Sequence, residues 1–232
     1  MILTLAALAA CAAQELQYPL LEKDPWQGFL PGSVVVRETA IGNRTRTETT
    51  ITLKAIEITS KTLLVQSKGE EEEEYVEFAP FSAGLIAEDS GYKASGKSTR
   101  VLGLGPAKVK ALVREFSGEG DVANNVWRLT TADEVPGGIF EATWSSQDEK
   151  TKSGASTLFK AMEKLKVQGK ELTCARFEAK ETQAMKSKRT LECSYWLSSQ
   201  VPGLLVKSAM KITEGKDVTE TTVQTLKFEA KK

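Results

Sequence analysis

The sequence predicts a mainly β protein, a twisted antiparallel sheet, open or curled into a half-barrel, built from about three related β-hairpin segments. Three observations carry that expectation. First, apolar and polar residues alternate with period two. Along 219–230, Leu226, Phe228 and Ala230 share one face and Thr219, Thr221 and Thr225 the other, the pattern of a half-buried strand. Second, three Pro-Gly turns each open on an apolar strand. Third, helix-spaced stretches are short: 81–88, and 155–164 around Phe159 and Met162. The latter aligns with strands elsewhere in the chain, which argues for a strand there too.

The turns are Leu30-Pro31-Gly32-Ser33, Val135-Pro136-Gly137-Gly138 and Val201-Pro202-Gly203-Leu204. Proline presets φ at the second position of a type I or II turn, and glycine tolerates positive φ at the third. Trp26, Trp127 and Trp196 precede the three turns, and Thr52, Thr157 and Thr225 open the apolar strands 21, 21 and 23 residues after the prolines. The related segments are 26–78, 127–180 and 196–230. Residues 45–55 alternate with Ile51, Leu53 and Ala55 in phase, and Ile56 and Ile58 then change phase, which predicts a bulge.

The chain of 232 residues divides into three stretches: 1–13, 14–25 as a linker, and a β-rich domain over 26–232. Met1 to Ala13, MILTLAALAACAA, carries no charge. It is shorter than the roughly 20 apolar residues that span a bilayer, and matches the apolar core and small-residue end of an export signal. The expected location is periplasmic, outer-membrane-anchored or extracellular. Leu8-Ala9-Ala10-Cys11 resembles a bacterial lipobox, in which the cysteine is lipidated and becomes the first mature residue and a membrane tether. Cleavage after Ala12 or Ala13 would instead discard Cys11, and both routes stay open.

Two cysteines remain, and an even count in an oxidising compartment points to a disulfide. Segments 171–180 and 187–197 flank polar residues 181–186 and read as a hairpin. A symmetric register sets Cys174 opposite Cys193, Leu172 opposite Tyr195 and Glu178 opposite Arg189, close enough to bridge Cys174 and Cys193.

Composition narrows function. Lys plus Arg and Asp plus Glu are both 31, and histidine is absent. The even balance gives no signal for nucleic acid. The missing imidazole removes Ser-His-Asp and Cys-His catalysis and nearly all zinc sites. No catalytic residue, metal ligand or cofactor is therefore assigned, and a non-catalytic binding or structural protein is expected. Glu70 to Glu74 read as a solvated hairpin loop between strands at 63–65 and 75–78 rather than a calcium site.

Gly91-Tyr92-Lys93-Ala94-Ser95-Gly96-Lys97-Ser98 matches the P-loop pattern. That motif needs a buried strand before it and a helix after it, whereas Glu88-Asp89-Ser90 precede it and Gly103 to Pro106 would break a helix soon after. Nucleotide binding is the remote alternative. The aromatic residues Trp26, Phe29, Trp127, Phe140, Trp144, Tyr195 and Trp196 could line a groove for a hydrophobic ligand, or form core.

The Trp-x-x-Phe-x-Pro-Gly opening and the later Val-Pro-Gly strands resemble uncharacterised exported bacterial β-repeat proteins over most of 26–230. More loosely, the pattern is similar to periplasmic lipoprotein carriers of the LolA type. That resemblance implies an acyl-chain carrier with a curved sheet, and carries over no functional residue. The partner is expected to be an envelope protein or a hydrophobic ligand; oligomeric state is not legible.

Overall fold

The computed structural model describes residues 25–232 except 27, 43–46, 59–62, 70–72, 79–91, 121–122, 147–153 and 185–187. The export signal with Cys11, the 81–88 helix candidate and most of the linker lie outside the described residues.

Thirteen strands appear among the described residues: β1 (Val34–Ile41), β2 (Thr47–Ile58), β3 (Leu63–Lys68), β4 (Glu73–Phe78), β5 (Tyr92–Leu104), β6 (Ala107–Gly118), β7 (Asn125–Thr131), β8 (Ile139–Ser146), β9 (Gly154–Val167), β10 (Lys170–Ala184), β11 (Lys188–Leu197), β12 (Leu205–Glu214) and β13 (Asp217–Glu229). They form one antiparallel sheet in the order β4-β3-β2-β1-β13-β12-β11-β10-β9-β8-β7-β6-β5. Every neighbour but one is a chain neighbour; the exception joins β1 to β13 in the middle of the sheet. Residues 155–164 are strand, inside β9. The phase change after Ala55 is a bulge at Ile56 against β3.

The sheet curls. Leu172 on β10 shares an apolar cluster with Val35 on β1 and Leu53 on β2, although three strands lie between β10 and β1. At about 4.8 Å per strand, a flat sheet would hold them about 19 Å apart. Likewise, Leu104 and Val109 of the β5–β6 hairpin pack in one cluster with Leu197 and Leu205 of β11 and β12. Phe177 lies at the centre of that cluster, its ring edge-on to Phe159 at 5.9 Å, and Phe159 in turn meets Phe140 at 4.9 Å. Each such fully buried ring contributes about 2–3 kcal/mol.

The three Pro-Gly turns are type II. Each closes with a backbone bond from the fourth residue to the first: Ser33 to Leu30, Gly138 to Val135, Leu204 to Val201. Gly32, Gly137 and Gly203 hold the third position at φ of 84°, 79° and 71°. Two of the loops match bond for bond. Ala132 N–H donates to Gly138 O, and Val135 N–H to Ala132 O; Ser198 N–H donates to Leu204 O, and Val201 N–H to Ser198 O. Each is followed by a one-residue bulge, at Phe140 and at Val206. The hairpins that follow keep no common register: Thr52 stands opposite Val36, five residues after its proline, and Thr157 opposite Ala142, six after its own. The first turn is pinned differently, by the chain's end: Leu30 N–H donates to Lys231 O and Lys231 N–H to Ser33 Oγ. Buried Arg37 on β1 clamps the third by donating from Nη2 to Gly203 O at 3.2 Å.

Two sequence expectations are corrected. The 171–197 hairpin exists, but β10 continues through the polar residues assigned to the turn, pairing Glu181 with Leu191 and Thr182 with Thr190. The register slides accordingly, so Cys193 faces Ala179 and Glu178 faces Ser194. Cys174 sits five residues before Ala179, an odd step, which puts it on the other face of the sheet. Cys174 and Cys193 are separate buried free thiols, not a disulfide.

The P-loop match also fails. Tyr92 to Ser98 form the start of edge strand β5, hydrogen-bonded to β6 with a bulge at Ser95. An extended strand sends successive side chains to opposite faces and cannot gather consecutive amides around a phosphate.

Candidate functional site

The candidate site is a trough of about 610 Å³ on one face of β9 to β13. Antiparallel pairing makes it, because directly opposed residues share a face. One row runs Lys180, Glu192, Lys211, Glu220 across β10, β11, β12 and β13, alternating in sign at each step. The next row runs Leu158, Glu178, Ser194, Ala209, Thr222 from β9 to β13. The short side chains of Ser194, Ala209 and Thr222 make the floor, and the longer Lys and Glu side chains beside them make the wall.

The wall is electrically balanced, with Lys160, Lys180 and Lys211 against Glu178, Glu192 and Glu220. Lys180 Nζ lies 3.0 Å from Glu192 Oε1, and Lys160 Nζ 3.3 Å from Glu178 Oε2. These side chains are 40% to 59% exposed. Ion pairs at such sites contribute about 0–1 kcal/mol. Opening one to make room for a ligand's own donors and acceptors therefore costs little.

Beyond Glu178 the face ends in a cation-lined aromatic. Trp196 lies between Arg176 and Lys207, opposed to it on either side. The guanidinium carbon stands 5.6 Å and the ammonium 5.2 Å from its ring centroid, a geometry favoured by the ring quadrupole. Trp196 Nε1–H donates to Glu163 Oε2 at 2.7 Å, and Arg176 donates to both Glu163 and Glu178. The bond from Trp196, with Arg176 second, holds the Glu163 carboxyl below the usual carboxylate range against a modest desolvation in the other direction.

The seven aromatic residues singled out in the sequence are not brought to one groove. Trp26 and Trp196 belong to the cluster around Leu172; Phe140 and Tyr195 to the one around Phe177. Trp127 packs against a third cluster, of Phe116, Leu129, Ile139 and Ala142. Trp127 faces Trp144 at 6.3 Å, and Trp144 Nε1–H donates to Tyr92 Oη at 3.2 Å. Phe29 is buried under Lys232 at the sheet's end. The trough residues were missed because Lys, Glu, Ser and Ala at alternate positions look, strand by strand, like an ordinary solvated face. The usable signal was the charge pattern, readable only with the correct register.

Burial pushes both thiols up, to about 11 for Cys174 and for Cys193, and raises Tyr195 as well. Neutral buried thiols are poor nucleophiles. Among the described residues, no group of three or more Cys, Asp or Glu is placed to hold a metal ion.

No family model and no curated protein matches this chain. Three solved structures are similar in outline. A candidate lipoprotein from Parabacteroides distasonis aligns over 92% of this chain and 100% of its own, at 12% identity and a TM-score of 0.39. The hypothetical lipoprotein YmcC from Escherichia coli aligns over 95% and 94%, at 11% identity and 0.35. An exported protein with a YmcC-like fold from Bacteroides fragilis aligns over 87% and 98%, at 12% identity and 0.36. Likeness of this degree transfers no property to this chain.

Proposed function

We propose that this chain is an exported, non-catalytic binding protein of the bacterial cell envelope, and that its binding face is the trough across β9 to β13. The export half rests on residues 1–13. The binding half rests on one observation, the alternating row Lys180–Glu192–Lys211–Glu220 beside a floor of Ser194, Ala209 and Thr222. A neutral wall of paired donors and acceptors suits an extended polar ligand, such as a peptide or glycan strand, whose groups exchange with the ion pairs one for one. The alternative, a carrier of lipids or other hydrophobic ligands, has weaker support, because the aromatic residues it would use pack in three separate clusters.

Native mass spectrometry on protein taken from its host envelope tests this reading. A retained polar mass is the expected result. A retained acyl-lipid mass would replace it with the carrier, and a chain still bearing residues 1–13 would end the export half.

A further inference from the structure

One end of the sheet differs from the rest of the surface. Five large apolar residues are exposed among those described: Leu30, Ile41, Ile56, Val101 and Leu226. Three of them lie around the Pro31-Gly32 turn. Leu30 precedes it and is 52% exposed. Ile56 follows Ala55, which exchanges backbone bonds with Gly32 and Ser33. Leu226 bulges from β13 beside Val36. Two of the three are bulge residues, which the irregular ladder turns outward.

Lysines surround them. Lys231 reaches over Gly32, where an added Cβ would stand 2.8 Å from its Nζ. Lys232 lies 5.5 Å from the Phe29 ring centroid and Lys170 5.4 Å from that of Phe228. Lys54 and Lys227 stand opposite Val34 and Val36. Against these five, the same backbone stretch carries the acids Glu57 and Glu229. The excess is local, since the whole chain is neutral. The described chain also enters here: buried Trp26 joins the cluster beneath this end, fifteen residues after Cys11. Fifteen residues reach at most about 50 Å, so a chain anchored at Cys11 meets its membrane with this end within reach.

The geometry points to a membrane-facing surface: the Pro31-Gly32 end, with exposed Leu30, Ile56 and Leu226 ringed by Lys170, Lys231 and Lys232, docks on an anionic lipid bilayer. Apolar side chains enter the headgroup region while lysines neutralise lipid phosphates, the pairing that supplements a lipid anchor. The surface deepens the envelope reading by giving the protein an orientation, with the trough strands standing away from the tether.

Vesicle sedimentation tests it with the full chain carrying Cys11→Ser, so that no acyl chain contributes. Vesicles of phosphatidylglycerol with phosphatidylcholine are compared with phosphatidylcholine alone. Binding to the anionic vesicles is expected to be at least tenfold tighter and to weaken with salt. Each surface lysine is worth about fivefold, so the triple variant Lys170→Glu, Lys231→Glu, Lys232→Glu should lose on the order of a hundredfold. Lys108→Glu with Lys110→Glu, on β6 beside the far edge of the sheet, should leave binding within a few-fold. Equal binding to both vesicle types, or equal loss in the β6 variant, overturns the proposal. The envelope reading fails separately, if the mature chain keeps residues 1–13.

Discussion

Trp196 on β11 and Glu163 on β9 are joined across β10 by a 2.7 Å hydrogen bond, the indole N–H donating to the carboxylate. The bond favours the charged carboxylate, so Glu163 titrates below its ordinary 4.5. A lowered carboxylate contributes stability above its unfolded pKa and loses it as pH falls through the folded value. Glu163→Gln should therefore lower stability by about 1 kcal/mol near neutral pH, a hydrogen bond to a charged group discounted for partial exposure. The deficit should fade in melting curves between about pH 4.5 and pH 3. A deficit that stays constant over that interval would separate Glu163 from the effect.

Leu204 and Gly138 close the two matching loops at φ of 56° and 80°. Leucine there carries the left-handed backbone cost of about 1–2 kcal/mol, held by its burial in the cluster around Phe177. Ordinarily, the smaller residue left in a core is the more damaging. At Leu204 that order should invert: Leu204→Gly should melt higher than Leu204→Ala, by roughly 1 kcal/mol. Gly138→Ala should cost about 1–2 kcal/mol. Glycine proving worse than alanine at position 204 would refute the strain argument.

Cys174 and Cys193 lie on opposite faces, with thiols pushed up to about 11. Neither should react with an aromatic disulfide reagent at pH 8 until the chain unfolds, and reduction should leave the mass unchanged. Between the unfolded thiol range near 9 and about 11, the unfolded chain has lost protons that the folded one keeps. Stability should fall as pH rises through that window, and Cys193→Ala should soften the slope. Two-thiol reactivity in the folded protein at pH 8 would show that burial is overstated.

Lys211 stands between Glu192 and Glu220 in the trough row. Lys211→Glu sets three acids side by side and should cost about 1 kcal/mol. Added salt at about 1 M shortens the screening length to about 3 Å and should remove most of that cost, as read in denaturant midpoints at low and high salt. A salt-independent loss would point to packing instead.

Much of the sheet was legible because its rules are local. Alternation named most of the strands, and a Pro-Gly pair fixed each type II turn, as Gly137 and Gly203 display. The phase change beyond Ala55 marked the Ile56 bulge. What stayed hidden depends on pairing between strands. Thr182 and Gln183 look like turn residues, yet they extend β10, and that slip separated Cys174 from Cys193. The meeting of β1 with β13 joins residues nearly 200 apart, with no local signature. The trough has the same origin: Lys180, Glu192, Lys211 and Glu220 become a row only through three registers at once.

The trough is the centre of the account, and Ala209 is the place to test it, since a large side chain there fills the floor between Ser194 and Thr222. The measurement is the native mass of wild type and of Ala209→Trp, recovered from the same host envelope. A polar mass carried by the wild type and missing from a folded Ala209→Trp is the predicted result; an identical bound mass on both proteins would contradict it.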